Sequence, residues 1–430
     1  MNLLVRKSQN LKGEIRMPRS KTHSFRALIL ASLANGKSII REPKLSNDWH
    51  EAVKAMRLFG AKIEEIRKNI YRVEGVAGKL QTPNDIINVG NSGTMLFFTS
   101  GVAATCPGWT VITGDQSIRN LRTVSKNLFR PFKKLGVAII STKNDGMAPL
   151  LIKGKVNGGK ALMDGTGCQP VFSVLIASAL SKQPVDIYVK NSGETAYIDL
   201  LLYWFDKVGI KYENENHTHY HFPGNNPPIA FTAIIPFEWS APSYPLLAAV
   251  LTSGSKITIK GMDETDPYGD KFVLDVLIKM GADIKNKNST LTAKTSQLHG
   301  IEIDMNIMPD QVPTVAVAAC FAKGKTIINN AQTARWKECD RISAICNELK
   351  KMGAKVIEKK DGLIINQDGT WKLKGRKVNG YKDHRMVLSL AVAGLNASRE
   401  TIISDAETLE KSFETFVTDM QKAGANLKLI

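Results

Sequence analysis

The stretch PDQVPTVAVAACFAKGKTIINNAQTARWKECDRISAICNELKKMGAK, residues 309–355, holds one copy of the pattern on which the whole chain is built. An apolar run, Val315–Ala322, predicts a buried helix, and Gly324 separates it from a short strand, Thr326–Asn329. A densely charged turn follows, and then an amphipathic helix that ends at Gly353. Because the charged turn directly precedes a helix with an apolar stripe, we expect its side chains to lie at the end of an element and to face a polar group.

The amphipathic helix and its terminal glycine recur six times along the chain. Each segment has apolar residues at helical spacing, ends in a glycine and continues into a β-like run. A glycine just past the last turn supplies the left-handed residue that ends a helix. The spacings of 76, 73, 72, 72 and 71 residues are too even for chance and predict six copies of one unit. The glycines are Gly60, Gly136, Gly209, Gly281, Gly353 and Gly424.

A second, more uniformly apolar helix precedes each amphipathic one and leads into a strand. Helices that are apolar all round are typical of a protein interior. The sequence therefore predicts an α/β fold in which sheets carry helices on one side and enclose a core helix. The predicted core helices are Ser24–Leu33, Thr94–Ala104, Val171–Leu180, Tyr244–Leu251, Thr314–Phe321 and Met386–Gly394.

The length of 430 residues allows two domains of about 200 residues each, with three units in each. The segment HFPGNNPPIAFTAIIPFEWSAPSYP, residues 221–245, is rich in Pro, Gly and Asn and indicates a crossing near residue 230.

The charge balance points to anionic partners. Lys and Arg number 58 against 40 Asp and Glu, which gives a net charge of +18. Such a field attracts phosphorylated metabolites, nucleic acid or an acidic membrane surface. The basic residues are scattered, and the aromatic residues, 7% of the chain, do not interleave with them as base-stacking platforms would. These features favour small anionic substrates; a nucleic-acid-binding protein remains the alternative from another class.

Cysteine usage and apolar runs indicate the compartment. The five cysteines are odd in number and lack CxxC spacing, which disfavours a disulfide framework or a zinc site and fits a reducing cytoplasm. The start MNLLVRKSQN contains no signal-peptide core, and no run reaches the roughly 20 apolar residues of a membrane helix. His217, His219 and His221 alternate along one predicted strand. We interpret them as residues of a solvent-exposed strand and not as the ligands of a metal. We therefore expect a cytoplasmic protein without a metal.

Polar and basic groups recur where the predicted helices begin, and helix N-termini favour anions. Asn88–Thr94 is a glycine-rich turn that opens an apolar helix, which suits a phosphate cradle, although such turns also occur without a ligand. Asp310 and Lys382–Arg385 open later core helices. Arg and Lys residues precede several of the amphipathic helices. Recurrence at equivalent points of several repeats favours a binding role over solvated faces.

The motifs SKTHSFRAL, GNSGT, ITGDQSIR, PDQVPTVAVAACFAKG, RWKECDRI, KDHRM and EKSFETF follow one another in this order. With them the chain resembles the 5-enolpyruvylshikimate-3-phosphate synthases, a family of enolpyruvyl transferases, over nearly its whole length. The resemblance is most specific from Pro309 to Phe416. It implies a two-domain inside-out α/β barrel, with residues 1–19 and 232–430 in one domain, residues 20–231 in the other, and the active site in the cleft between them.

The resemblance also implies the reaction. The enolpyruvyl group of phosphoenolpyruvate would move to the 5-hydroxyl of shikimate 3-phosphate with release of phosphate, by a monomer that needs no metal or organic cofactor. Asp310 would be the base, and Glu338 and Lys21 would share the proton transfers. Arg341, Arg385 and Lys411 would hold phosphoenolpyruvate. Residues expected at the acceptor are Lys21, Thr22, Arg26, Gln169, Tyr197 and Lys337, and Gly93, Arg122 and Asp310 complete the substrate-binding set.

Several acceptor-side positions depart from the family pattern. Phe97 replaces one arginine, and Leu121 takes the place of another, with an arginine one position late. Gly167 and Cys168 replace two serines that hold the acceptor phosphate, and Glu194 replaces a third. Lost hydrogen bonds of this kind cost about 1–3 kcal/mol each. Two alternatives to the synthase therefore stay open: an enolpyruvyl transferase that acts on a different acceptor, and a family member without catalytic activity. An enolpyruvyl transferase acting on UDP-N-acetylglucosamine is disfavoured, because the loop from Asp115 to Arg122 lacks that family's cysteine.

Overall fold

The structure is a computed structural model that describes residues 1–122 and 124–430, with the backbone alone at 125 and 126. The strands are β1 (Leu3–Val5), β2 (Lys12–Glu14), β3 (Lys37–Arg41), β4 (Lys62–Arg67), β5 (Ile70–Glu74), β6 (Ile87–Asn88), β7 (Thr110–Thr113), β8 (Ala138–Ser141), β9 (Leu150–Lys153), β10 (Gly159–Asp164), β11 (Val185–Lys190), β12 (Glu213–Glu215), β13 (His219–Phe222), β14 (Thr232–Ile234), β15 (Lys256–Lys260), β16 (Asp283–Lys287), β17 (Thr290–Lys294), β18 (Glu302–Asp304), β19 (Gly324–Asn329), β20 (Val356–Lys359), β21 (Gly362–Gln367), β22 (Lys377–Val378), β23 (Thr401–Ile403) and β24 (Leu427–Leu429).

The helices alternate with these strands. The α-helices are α1 (Lys21–Leu33), α2 (Asn47–Leu58), α3 (Gly93–Ala103), α4 (Gln116–Asn120), α5 (Ser125–Lys134), α6 (Cys168–Ala179), α7 (Thr195–Lys207), α8 (Ser243–Leu251), α9 (Val273–Lys279), α10 (Val312–Ala319), α11 (Arg341–Lys351), α12 (His384–Gly394) and α13 (Phe416–Lys422). Short 3-10 helices span Gly269–Phe272, Pro309–Gln311, Gln332–Trp336 and Ala406–Lys411.

The chain divides into two compact units. The continuous unit is Lys21–Ile235, and the discontinuous unit combines Met1–Ser20 with Pro236–Ile430. Strand β14 pairs in parallel with β3, so residues 232–235 lie in the continuous unit and not in the other one, where the sequence placed them. Ser20 lies in the discontinuous unit, where its backbone N–H donates to the carbonyl oxygen of Pro236 at 2.9 Å.

Repetition is visible in the sheets. In the part of the chain that the structure describes, the strands form six sheets of four strands with one common topology. In each sheet one outer strand is parallel to its neighbour and the other two pairings are antiparallel, as in β18-β19-β21-β20. A hairpin supplies the last two strands except in β22-β23-β1-β24, where they are the first and last strands of the chain. In the discontinuous unit two sheets take a strand from the N-terminus: β2 lies beside β15, and β1 lies between β23 and β24.

The core of each unit is helical, as the apolar runs predict. Helices α1, α3 and α6 are almost entirely buried in the continuous unit, as are α8, α10 and α12 in the discontinuous one. The six glycines that end the amphipathic helices have φ between +74° and +104°, the left-handed region that favours glycine. The predicted α/β fold of six repeated units is therefore confirmed.

Candidate active site

Two buried arginines and several carboxylates form one hydrogen-bonded group in the discontinuous unit. Arg341, the first residue of α11, is 1% exposed, and its guanidinium donates to three carboxylates. Nε and Nη2 donate to the two oxygens of Asp383 at 2.7 and 3.2 Å. Nη1 donates to Asp310 and Nη2 to Glu338, each at 2.7 Å. The arginine cluster, as we call it, comprises Asp270, Asp310, Lys337, Glu338, Arg341, Asp383 and Arg385.

Arg385 joins the cluster from the first turn of α12. Its Nη2 lies 2.9 Å from the Asp270 carboxylate and 3.2 Å from that of Asp310. Its Nη1 is buried and has no hydrogen-bond acceptor among the described residues. Because buried N–H groups are nearly always satisfied in folded proteins, this nitrogen is suited to a bound anion.

Helix starts position these side chains. The Asp340 carboxylate accepts from the backbone N–H of Ser343 and caps α11, which places Arg341 in the first turn. The Asp383 carboxylate accepts from the backbone N–H of Arg385 at 2.9 Å and caps α12, so one carboxylate both begins a helix and binds Arg341.

Charges within the cluster shift the pKa values of Asp310 and Arg341. Burial opposes ionisation of Asp310, but the positive charges of Lys337, Arg385 and Arg341 outweigh it and keep the pKa of that carboxyl well below its usual range. Burial alone would lower the pKa of Arg341, yet Asp383 and the other carboxylates raise it well above the usual value. The four carboxylates of the cluster outnumber its three cations, so the arginines are already neutralised within the unit.

Two further predicted lysines lie in the same unit. The Nζ of Lys337 is 3.6 Å from Oδ1 of Asp310. Lys411 is half-buried at the end of the 3-10 helix Ala406–Lys411, which packs against α12.

In the continuous unit most of the predicted acceptor-side residues lie at or near the starts of helices. Lys21, the first residue of α1, has its Nζ 3.6 Å from the buried Asp48 carboxylate. Arg26 is 1% exposed, and its Nη1 and Nη2 donate to the carbonyl oxygens of Thr22 and Tyr197, each at 3.2 Å. The helix-end cluster, as we call it, comprises Lys21, Thr22, Arg26, Asp48, Gly93, Arg122, Gln169, Glu194 and Tyr197.

The guanidinium of Arg26 also packs beside two aromatic rings that stack on each other. Its Cζ lies 5.3 Å from the ring centroid of Phe98 and 4.9 Å from that of Phe172. At a desolvated position such cation–π contacts contribute about 1–2 kcal/mol. Arg26 is therefore held by packing as well as by hydrogen bonds.

Helices α3 and α6 begin side by side in this cluster. The Gln169 side-chain amide lies 3.5 Å from the hydroxyl of Thr94. A Cβ atom added to Gly93 would lie 1.8 Å from Nη1 of Arg122, so the glycine is what lets that guanidinium approach the start of α3. The adjacent helix start carries a carboxylate: the backbone N–H of Cys168 donates to Oε2 of Glu194 at 2.9 Å.

Other polar clusters do not form a metal centre. His219 and His221 bind the Asp186 carboxylate at 3.0 and 3.1 Å on a sheet of the continuous unit. Across residues 1–122 and 124–430, no group of three or more His, Cys, Asp or Glu residues is arranged to hold a metal ion. The five cysteines are free thiols. No helix in the described ranges is long and apolar enough to cross a membrane.

Comparison with known proteins identifies the family. The sequence model described as EPSP synthase (3-phosphoshikimate 1-carboxyvinyltransferase) matches residues 5–420. This chain belongs to the EPSP synthase family. A relative from Acetivibrio thermocellus, named 3-phosphoshikimate 1-carboxyvinyltransferase, is 43% identical over 99% of both chains. One of the same name from Methanocaldococcus jannaschii is 39% identical over 99% of both. A solved EPSP synthase from Acinetobacter baumannii superposes with a TM-score of 0.81 at 23% identity, covering 100% of this chain and 99% of that one, which shows the shared fold.

The structure accounts for the displaced arginine of the EPSP synthase pattern. Leu121, which stands at the arginine's position, is 55% exposed, whereas Arg122 is 5% exposed and lies against Gly93. Leu121 is the C-cap residue just after α4, and the backbone N–H of Arg122 donates to the carbonyl oxygen of Ser117 at 3.3 Å. The arginine side chain is therefore buried one position after Leu121, and its guanidinium lies at the start of α3.

At the other arginine position, Phe97 is buried within α3 and brings no charge. Sequence reasoning missed two buried acids, Asp48 and Asp270. Each lies at or just before the start of an amphipathic helix, where only the basic residues of other repeats had been noted. The position of these two acids at helix starts was therefore a usable sequence signal, because each carboxylate pairs with a cation from a neighbouring core helix.

Proposed function

We propose that this protein transfers the enolpyruvyl group of phosphoenolpyruvate to the 5-hydroxyl of shikimate 3-phosphate and releases phosphate. Membership of the EPSP synthase family supports the reaction. The observation that carries the site assignment is the arginine cluster, in which Arg385 holds a buried donor nitrogen without a protein acceptor among the described residues. We assign phosphoenolpyruvate to this cluster and the acceptor to the helix-end cluster.

The charge balance of the arginine cluster explains why substrate binding starts the chemistry. Phosphoenolpyruvate brings a carboxylate and a phosphate, while the cluster already has more carboxylates than cations. Bound next to Arg385, the substrate competes with Asp310 for that positive charge, and the pKa of Asp310 rises from its very low value toward the range of a useful base. In the free protein Asp310 is ionised and weakly basic, so the base becomes effective when the substrate arrives.

The reaction consists of an addition and an elimination. In the addition, the acceptor oxygen forms a bond to C2 of phosphoenolpyruvate, loses its proton to Asp310, and C3 receives a proton from an acid. In the elimination, a proton leaves the new methyl group, the C2–O bond to phosphate breaks, and the enol ether forms. Glu338 lies beside Asp310 on Arg341, and Lys21 is ion-paired in the helix-end cluster; we assign these two to the transfers at C3.

We assign Arg341 an organising role in this site. Each of its guanidinium nitrogens donates to a carboxylate, which leaves one N–H of Nη1 for a substrate oxygen. Such an arrangement aligns the two proton-transfer carboxylates on one rigid guanidinium. Direct contacts to phosphoenolpyruvate then come from Arg385 and Lys411, with the remaining N–H of Arg341 beside them and Lys337 next to Asp310.

The experiment is phosphate release from phosphoenolpyruvate, measured with shikimate 3-phosphate, with shikimate, and with neither. We expect release that requires shikimate 3-phosphate. Arg385→Ala should raise the KM for phosphoenolpyruvate at least tenfold, while Lys355→Ala, which removes an exposed cation of the same unit, should leave it unchanged. An Arg385→Ala protein with unaltered KM would remove the arginine cluster from the site.

The same assay separates the alternatives. Turnover with shikimate but not with its phosphate would indicate a different acceptor, and no turnover with either would favour a non-catalytic family member. Affinity for polyanions that falls steeply with salt, without phosphate release, would favour a nucleic-acid-binding protein. That the protein acts as a monomer in the cytoplasm stays a prediction. Size-exclusion chromatography with light scattering measures the molar mass and so tests whether it is a monomer.

A further inference from the structure

Two departures from the EPSP synthase pattern, 26 positions apart in the sequence, meet at one hydrogen bond. The N–H of Cys168, the first residue of α6, donates to Oε2 of Glu194 at 2.9 Å, and Glu194 is only 2% exposed. A side chain added at Gly167 would contact the same carboxylate oxygen, since a Cβ there would lie 3.9 Å from it. The loss of hydroxyl groups at 167 and 168 and the gain of a carboxylate at 194 are therefore one local change.

The backbone holds this carboxylate in place. The N–H of Gly193 donates to the carbonyl oxygen of Gly165 at 2.9 Å, which ties the loop before α7 to the loop before α6. Glu194 has φ of +52° and ψ of +33°, a left-handed conformation that costs a non-glycine residue about 1 kcal/mol or more. Its own carbonyl oxygen accepts from the N–H of Tyr197 at 3.0 Å and begins α7. Since these two hydrogen bonds fix the backbone at Gly193 and Glu194, the Glu194 side chain has a restricted set of directions, and the observed one reaches α6.

A helix N-terminus with no side chain on its preceding residue normally favours an anion from outside. Here the N-cap residue of α6 is Gly167, which supplies no cap, and the Glu194 carboxylate takes that role from another loop. We infer that Glu194 is a built-in ligand of the α6 N-terminus and the residue that determines how strongly a phosphorylated acceptor binds. The inference rests on the proposed function for the nature of the acceptor.

Competition is the physical basis of this role. A phosphate that accepts from the first N–H groups of α6 has to displace the Glu194 carboxylate, and two anions in contact repel each other strongly at a buried site. An acceptor without a phosphate leaves the carboxylate where it is. We assign contacts with the rest of either acceptor to Lys21, Arg122 and Gln169. Glu194 therefore lowers the affinity for the phosphate of shikimate 3-phosphate at this position, while shikimate 3-phosphate remains the acceptor.

The test is direct binding, by calorimetry, of shikimate 3-phosphate, shikimate and inorganic phosphate to the unaltered protein and to Glu194→Gln. Glutamine keeps an oxygen for the Cys168 N–H, so α6 keeps its cap while the charge is lost. We expect shikimate 3-phosphate and inorganic phosphate to bind about tenfold more tightly or better, and shikimate to change less than twofold. Glu213→Gln, which removes an exposed charge of the same unit, should change none of the three.

Unchanged or weaker phosphate binding by Glu194→Gln would overturn the inference. If that variant does not fold, crystals of the unaltered protein with shikimate 3-phosphate decide it. The Oε2 to Cys168 nitrogen distance should lengthen from 2.9 Å, and a phosphate bound at α6 with that distance kept would refute the competition. Failure of the proposed function looks different: no phosphate release from phosphoenolpyruvate by either protein, while Glu194→Gln still gains affinity for inorganic phosphate.

Discussion

Replacing Asp383 by asparagine tests how much the arginine cluster depends on a single buried carboxylate. Asp383 is fully buried, binds Arg341 through both oxygens, and caps α12 through the N–H of Arg385. Asparagine has nearly the same shape and still caps a helix, so the cap contributes little to the change. The substitution therefore isolates the loss of one negative charge opposite a buried guanidinium.

The expected magnitude follows from the partners that remain. Removing one partner of a buried ion pair costs about 3–5 kcal/mol when the other charge is left alone. Arg341 keeps Asp310 and Glu338, each at 2.7 Å, so we expect a loss just below that range, about 2–3 kcal/mol. The remaining carboxylates should also be drawn toward Arg341, which leaves Asp310 a poorer base. Turnover should fall along with stability.

The assay is urea unfolding followed by circular dichroism, with phosphate release measured on the folded protein. Asp368→Asn is the matched control: that carboxylate lies in the same unit, 3.5 Å from Lys355 at the surface, where ion pairs contribute about 0–1 kcal/mol. A loss below about 0.5 kcal/mol for Asp383→Asn, equal to that of the control, would show that the other two carboxylates neutralise Arg341 fully. The cluster would then not be a cooperative unit.

Three further outcomes are expected. Lys411→Ala should raise the KM for phosphoenolpyruvate about tenfold or more with unchanged unfolding, and an unaltered KM would exclude this lysine from the site. Gly93→Ala should leave stability equal or raise it by up to about 1 kcal/mol, because alanine suits a helix. Its Cβ must displace the Arg122 guanidinium, so acceptor KM should rise; an unchanged KM would place Arg122 outside the site. Slight burial opposes protonation of His219, but Asp186 and Glu215 outweigh it and raise the pKa of this histidine in the folded protein. The protonated side chain therefore stabilises the fold fully below the unfolded-state pKa of about 6.5, and this stabilisation is lost as the pH rises through the folded-state pKa. Urea titrations between pH 5.5 and 8.5 should show that loss in the unaltered protein and not in His219→Gln.

The fold was largely readable from local patterns. Apolar spacing located all six core helices to within a few residues of their observed bounds, and the six glycines do adopt the left-handed conformation that ends a helix. These features depend on residues close in sequence, whose periodicity and turn chemistry act wherever the chain later packs. The boundary near residue 230 was less exact, because β14 joins β3 through a pairing between distant segments that no local pattern reports.

Within the site, the sequence by itself determined which residue types stand at the helix starts and in which repeats they stand. Only the tertiary structure decided which charges meet. It paired Arg385 with Asp270, brought Arg122 to Gly93 in place of Leu121, and put the Glu194 carboxylate on the N-terminus of α6. Such pairings join segments from 26 to more than 100 residues apart, and packing, not local preference, sets their distances. A buried charge takes the partner that the folded chain places within reach, and the sequence alone does not specify that partner.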